Sequence, residues 1–242
     1  MSPPDGDFWK LARAKTVKQR LLAAQAIAAP EDVVTFLVND SSPAVRRALA
    51  ARADLQEHRV LYQLAHDSDL KTRQALVANP NCPPEILIEL VDDPHRSVRL
   101  DLPSHPNISE PVRKVIARSP DGDLRRLMAE DANLDPETTN LLLSDPAETV
   151  RAALAGHTSY PAILESLLKE DSDVVRAGAA QNSLTTIEQR RALARDPAAL
   201  VRANLLKYVE LEEDELLLLA QDRSINEPFS SSRDLLVLLY TD

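Results

Sequence analysis

An arginine returns along this chain at intervals of about 26 residues, and that recurrence constrains the fold more than any composition figure. It follows an apolar residue or Thr72 and precedes small or aliphatic ones: VRRALA at Arg46, TRQALV at Arg73, VRLDLP at Arg99, LRRLMA at Arg125, VRAALA at Arg151, VRAGAA at Arg176 and VRANLL at Arg202. The successive steps are 27, 26, 26, 26, 25 and 26 residues, and a step of 26 back from Arg46 reaches Arg20 in KQRLLAA. A unit this short cannot enclose an apolar core by itself, so consecutive units must stack and bury their faces against one another.

An acid recurs about 20 residues after most of these anchors: Asp40, Asp67, Asp93, Asp145, Asp171, Asp196 and Asp222, with Ser119 standing in once. An Asp just ahead of a helix accepts hydrogen bonds from its free N–H groups, and an Arg one and a half turns later can reach an Asp of its own or the neighbouring unit. Stacking is therefore expected to turn Asp40, Arg46, Asp67, Arg73, Asp93, Arg99, Arg125, Asp145, Arg151, Asp171, Arg176, Asp196, Arg202 and Asp222 into a structural ladder rather than a chemical site.

The remaining offsets describe two short helices per unit. The residue before the anchor (Val45, Val98, Leu124, Val150, Val175, Val201) and the third after it (Leu49, Leu76, Leu102, Met128, Leu154, Leu205) stripe one helix face. The fourth is mostly alanine, which permits close helix approach. Prolines and polar caps at the tenth position (Pro30, Pro83, Ser109, Asp135, Pro161) open a second helix that carries Leu37, Leu90, Ile116, Leu142, Leu168, Leu193 and Leu219. Composition agrees: 17 Pro, 4 Gly and 3% aromatics suit short punctuated helices rather than sheets. The expected fold is an all-α solenoid of about eight two-helix repeats over residues 15–225, with an N-terminal cap over 1–14 and a C-terminal capping helix over 226–242. Two irregularities interrupt it: Pro103, which should shorten its helix, and the SPDGD boundary at residues 119–123.

The unit is best displayed in DSDLKTRQALVANPNCPPEILIELVDD, from Asp67 to Asp93. It resembles the leucine-rich-repeat variant family and, more loosely, HEAT repeats. The resemblance implies a right-handed superhelix with a concave and a convex layer, used for binding proteins or nucleic acid. Founding variant proteins add a cysteine-ligated iron–sulfur module, and Cys82 is the sole cysteine here, so neither a cofactor nor a metal is expected. The HEAT-like branch also contains DNA glycosylases with a basic, aromatic-lined groove and lyases that attach pigments. An activity that needs His105 or His157 would favour a lyase or modifying enzyme on this scaffold.

Net charge is −10, from 28 Lys and Arg against 38 Asp and Glu, which opposes the phosphate neutralisation that drives duplex binding. Residues 10–20 nevertheless carry five cations and no acid, while residues 210–215 are strongly acidic. Terminal caps and head-to-tail attraction are both open readings of these runs. No apolar run reaches the roughly 18 residues of a membrane span, and a cytoplasmic location is expected. No phosphate-cradling glycine loop, zinc-protease motif or nucleophile elbow occurs. The expected function is a non-enzymatic scaffold that binds a macromolecule, foremost a protein, through its concave surface; the alternative is a nucleic-acid-binding or base-excision protein. The contact residues expected from geometry are Arg47, Arg52, Gln74, His105, Arg126, Glu130, His157, Gln181, Lys207 and Tyr208. No membrane contact is expected, and the oligomeric state is open.

Overall fold

A computed structural model describes residues 5–225 apart from 209, 210 and 221. All regular structure among them is helical, and the chain divides into two compact units, one ending at Ser119 and the other beginning at Pro120. The boundary falls at the SPDGD irregularity. Unit 1 contains α1 (Asp5–Ala12), α2 (Val17–Gln25), α3 (Glu31–Leu37), α4 (Pro43–Ala50), α5 (His58–Ala65), α6 (Leu70–Val77), α7 (Pro84–Leu90), α8 (Arg96–Arg99) and α9 (Glu110–Ala117). Unit 2 contains α10 (Gly122–Ala129), α11 (Pro136–Leu143), α12 (Glu148–His157), α13 (Pro161–Leu167), α14 (Asp173–Ala179), α15 (Ile187–Leu193), α16 (Ala199–Tyr208) and α17 (Glu213–Ala220).

The even-numbered helices carry the anchor arginines and stack on one another within each unit, α2 to α8 in the first and α10 to α16 in the second. The odd-numbered helices flank them, so each unit is built of two helical layers of the solenoid type. The flanking helices begin where proline or a short polar side chain stops the preceding turn: Pro30 and Pro83 occupy N-cap positions, Pro136 and Pro161 the first helical turn, and Thr186 forms a capping box with Gln189. The residue preceding the anchor and the third after it are buried, as shown by Val45, Val150 and Val201 with Leu49, Leu76 and Met128. Fully burying one such side chain contributes about 1.5–3 kcal/mol.

Helices α12 and α14 approach tightly at Gly178. A Cβ placed on Gly178 would lie 2.3 Å from the carbonyl oxygen of Ala152, so no larger residue fits without separating the helices. In unit 1, Pro103 has the effect expected of it. Helix α8 is only four residues long, and a 3-10 turn over Leu102–Ser104 replaces its continuation.

Phe8 of α1 is buried and α1 packs on α2 and α3, so the N-terminal segment belongs to unit 1. The expected C-terminal capping helix over 226–242 lies outside the described residues.

Candidate interaction surface

The ladder is a directional chain of guanidinium bridges. Arg73 Nε and Nη2 donate to the two carboxylate oxygens of Asp93 at 2.6 and 3.2 Å, while Nη1 donates at 2.6 Å to the backbone carbonyl of Asp67, six residues earlier. Arg20 with Asp40, Arg46 with Asp67, Arg125 with Asp145 and Arg176 with Asp196 make the same two-pronged contact, and Arg202 also pairs with Asp222. Arg99 reaches back to the Asp93 carbonyl at 2.7 Å. Each acid also accepts the N–H two residues on, as Asp40 does from Ser42 and Asp145 from Ala147. That residue, not the acid, sits at the N-cap of the anchor helix. The acid thus shapes the turn leading into the helix rather than capping it.

Carboxylate ionisation follows this geometry. Burial opposes charge on Asp40 and Asp196, yet the arginine hydrogen bonds and the donated backbone N–H outweigh it and hold both pKa values below the ordinary range. At Asp222 the hydrogen bond from Arg202 dominates and lowers the pKa to about 2.

One rung departs from the expected residue. Arg151 binds Glu170 at 2.7 Å, and Asp171 is exposed. This unit is one residue short, so the position six before Arg176 is Glu170. The same slip buries Leu167 in place of Leu168, which is only half-buried. In the long unit Arg46 pairs with Asp67, 21 residues on, whereas the regular spacing is 20 and the short unit's is 19. The step back from anchor to acid is constant; the step forward is not.

A second set of bridges lies at the opposite ends of the anchor helices. Asn79 Nδ2 donates to the carbonyls of Ala50 and Arg52, and its oxygen accepts the N–H of Asn81. Asn182 repeats this with Ala155, Thr158 and Leu184. His105 does it with an imidazole: Nδ1 accepts the Asn107 N–H at 3.0 Å, which leaves Nε2 to donate to the Asn79 carbonyl at 2.9 Å. His157, at the same repeat position, is different. It is exposed on the end of α12, and Thr158 accepts the turn N–H from Tyr160 instead.

These contacts sort the expected partner-binding residues. Arg52 and His105 are withdrawn from the contact surface, because both are buried. Arg52 clasps Asp54 with two hydrogen bonds and donates to the Ile27 carbonyl. The others lie on or beside the anchor helices. In unit 1, Arg47 reaches Asp69 at 3.1 Å and Gln74 reaches Ser97 at 3.0 Å, each bridging toward the next anchor helix while staying partly exposed. In unit 2, Arg126 pairs with Glu130 one turn away, Gln181 is half-buried, and Lys207 and His157 are exposed. The side chain of Tyr208 lies outside the described residues.

Other pairs carry no repeat signal. Glu215 belongs to the acidic run, yet its side chain is fully buried against Arg190 and accepts the Glu212 N–H. Asp214 pairs with Arg191 at 2.8 Å. Cys82 is buried, which pushes its thiol pKa up to about 12 and makes it a poor nucleophile. Among the described residues no group of three or more His, Cys, Asp or Glu side chains is arranged to hold a metal, and no helix is long and apolar enough to cross a membrane.

No family model matches the chain, and no curated protein sequence is similar to it. Among solved structures it is similar to a leucine-rich repeat variant described as having a novel repetitive structural motif. That likeness covers 82% of this chain and 78% of the other, with 26% identity and a TM-score of 0.55. The likeness extends over most of both chains, and the resemblance read from the Asp67–Asp93 unit holds in three dimensions.

Proposed function

We propose that this leucine-rich-repeat-variant-like solenoid is a non-enzymatic scaffold whose anchor-helix surface binds a protein partner. One observation carries the reading. The residues that recur from unit to unit are consumed internally by the core and the two sets of bridges, whereas the side chains that differ between units, Arg47, Gln74, Arg126, Glu130 and Gln181, remain at least partly exposed on the same helices. A scaffold whose repeating positions hold it together and whose variable positions face outward is suited to recognising an extended macromolecular surface.

Protein is favoured over nucleic acid because the arginines are committed. Arg20, Arg46, Arg73, Arg125, Arg151, Arg176 and Arg202 each face a carboxylate, and Arg47 and Arg126 do so as well. These paired guanidiniums retain little unneutralised positive charge with which to displace counterions from a phosphate backbone.

The test is affinity capture of the tagged full chain from its native cells, with and without nuclease, beside a variant carrying Arg47→Ala, Gln74→Ala, Arg126→Ala and Gln181→Ala. A stoichiometric protein that survives nuclease and is lost from the variant supports the reading. Recovery that depends on nucleic acid refutes it.

A further inference from the structure

The N-terminal end of unit 1 carries a cationic and aromatic surface beside the first rung of the ladder, Arg20 with Asp40. Lys10, Arg13, Lys15 and Lys18 are all exposed, and none makes an ion pair among the described residues. The fifth cation of the run, Arg20, is turned inward: it clasps Asp40 and ties down the loop between α1 and α2 through the carbonyls of Ala14 and Lys15. Four positive charges are thereby left outward on a chain whose net charge is −10.

Beside them is a prepared apolar platform. The Trp9 and Phe36 rings meet edge to face with centroids 5.4 Å apart, and the Arg13 guanidinium lies 4.4 Å above the indole. Trp9 Nε1 donates to Asp32 at 3.3 Å, which fixes the ring. Phe36 is 45% exposed although it is large and apolar. It lines an open cleft of about 680 Å³ together with Arg13, Thr35 and Asn39. Two carboxylates also line the cleft: Asp40 is neutralised by Arg20, whereas Asp32 accepts the indole N–H and keeps its charge, so the attraction for an anion comes from the exposed cations of the run and the cleft itself supplies the apolar contact.

We propose that this surface docks a short acidic polypeptide segment bearing an aromatic or aliphatic anchor, with its carboxylates over Lys10, Arg13, Lys15 and Lys18 and its anchor against Phe36 and Trp9. Charge complementarity supplies the attraction and the cleft supplies the register. The acidic run at residues 212–215 of a second copy is a poor occupant, because Asp214 and Glu215 are already held by Arg191 and Arg190. A long polyanion is disfavoured because it would extend beyond the four cations over a predominantly acidic molecule. The site is independent of the anchor-helix reading, and either can fail alone.

The test is fluorescence anisotropy with the full chain. The probes are a short fluorescein-labelled glutamate peptide with one central phenylalanine, the same peptide with glycine there, its lysine counterpart, and an oligothymidylate of equal length. The phenylalanine peptide should bind, with affinity falling roughly tenfold or more in Lys15→Glu/Lys18→Glu, and that variant should gain affinity for the lysine peptide. Phe36→Ala should abolish the preference for phenylalanine over glycine. Lys15→Gln/Lys18→Gln gives a smaller loss and serves if the reversal unfolds the chain, which circular dichroism reports. No binding, binding unchanged by the substitutions, an oligothymidylate bound as tightly as the peptide, or self-association that Lys15→Glu/Lys18→Glu abolishes would each overturn the proposal.

Discussion

Arg73 and Asp93 share two hydrogen bonds while the same guanidinium holds the backbone of Asp67, so one side chain joins the turns of two successive repeats. Both partners are buried. Arg73→Ala leaves the Asp93 carboxylate without its counter-ion and should cost ~3–5 kcal/mol. Arg151→Ala breaks a rung whose Glu170 side chain is 25% exposed, and should cost only about 1 kcal/mol. Urea denaturation of the two variants tests the order; equal losses would contradict a dependence on burial.

The short unit makes a prediction about adjacent residues. Glu170→Ala should destabilise by about 1 kcal/mol because it unpairs Arg151, whereas Asp171→Ala should change stability by less than about 0.5 kcal/mol. Thermal melts of both variants distinguish them, and the reverse order would restore Asp171 to the ladder.

Two glycines of unit 2 should behave oppositely to the same substitution. Gly178→Ala drives a methyl into the Ala152 carbonyl and should cost roughly 1–3 kcal/mol through forced separation of α12 and α14. At Gly156 the nearest atom to an added Cβ is 3.4 Å away, an ordinary contact. Gly156→Ala should therefore be neutral, or gain up to about 1 kcal/mol from helix propensity.

The ladder should weaken in acid. Asp222 has a folded pKa of about 2, below its unfolded value because of Arg202, and Asp40 and Asp196 are shifted in the same direction. A depressed folded pKa means that the unfolded chain takes up the proton first. The stabilisation is therefore complete above pH ~4 and is lost as pH falls toward 2. Asp222→Asn should lower the melting temperature most near neutrality, and the gap from the unsubstituted chain should close toward pH 2. A constant gap would show that the charge is not what the rung uses.

His105 does with an imidazole what Asn79 and Asn182 do with an amide. His105→Asn should keep the turn within about 1 kcal/mol, while His105→Leu strands the buried carbonyl of Asn79 and frees the N–H of the exposed Asn107 to water, at a cost of ~1–3 kcal/mol. Chemical denaturation measures both.

Most of the architecture was legible because the repeat is its own alignment: the core stripe, the Pro-led helix starts and the shortening at Pro103 follow from residue type and position. Asp171 fits the ladder only by its spacing from the preceding arginine, which spans a turn whose length varies. Counting back from Arg176 lands on Glu170, and the signal was present. His105 and His157 cannot be told apart by position: α12 runs two residues further past its arginine than α4, α6 and α10 do, and Thr158 takes over the turn. Arg52 is not legible as buried because its charged partner Asp54 is replaced by Ala28 and Asn81 in the neighbouring units. The Trp9, Phe36 and Arg13 cluster joins α1 to α3 and recurs nowhere, so periodicity is blind to it.

The constant six-residue step between acid and arginine divides each unit into a segment of fixed length and one of adjustable length. A residue added or removed after the anchor helix shifts the flanking helix and leaves every rung intact, as the chain's own long and short units demonstrate. The same change between acid and arginine would turn the guanidinium by about 100° around its helix and away from both partners. The turn after each anchor helix is therefore the natural seam of the molecule, where a foreign loop can be grafted or a whole unit exchanged without re-engineering the joints.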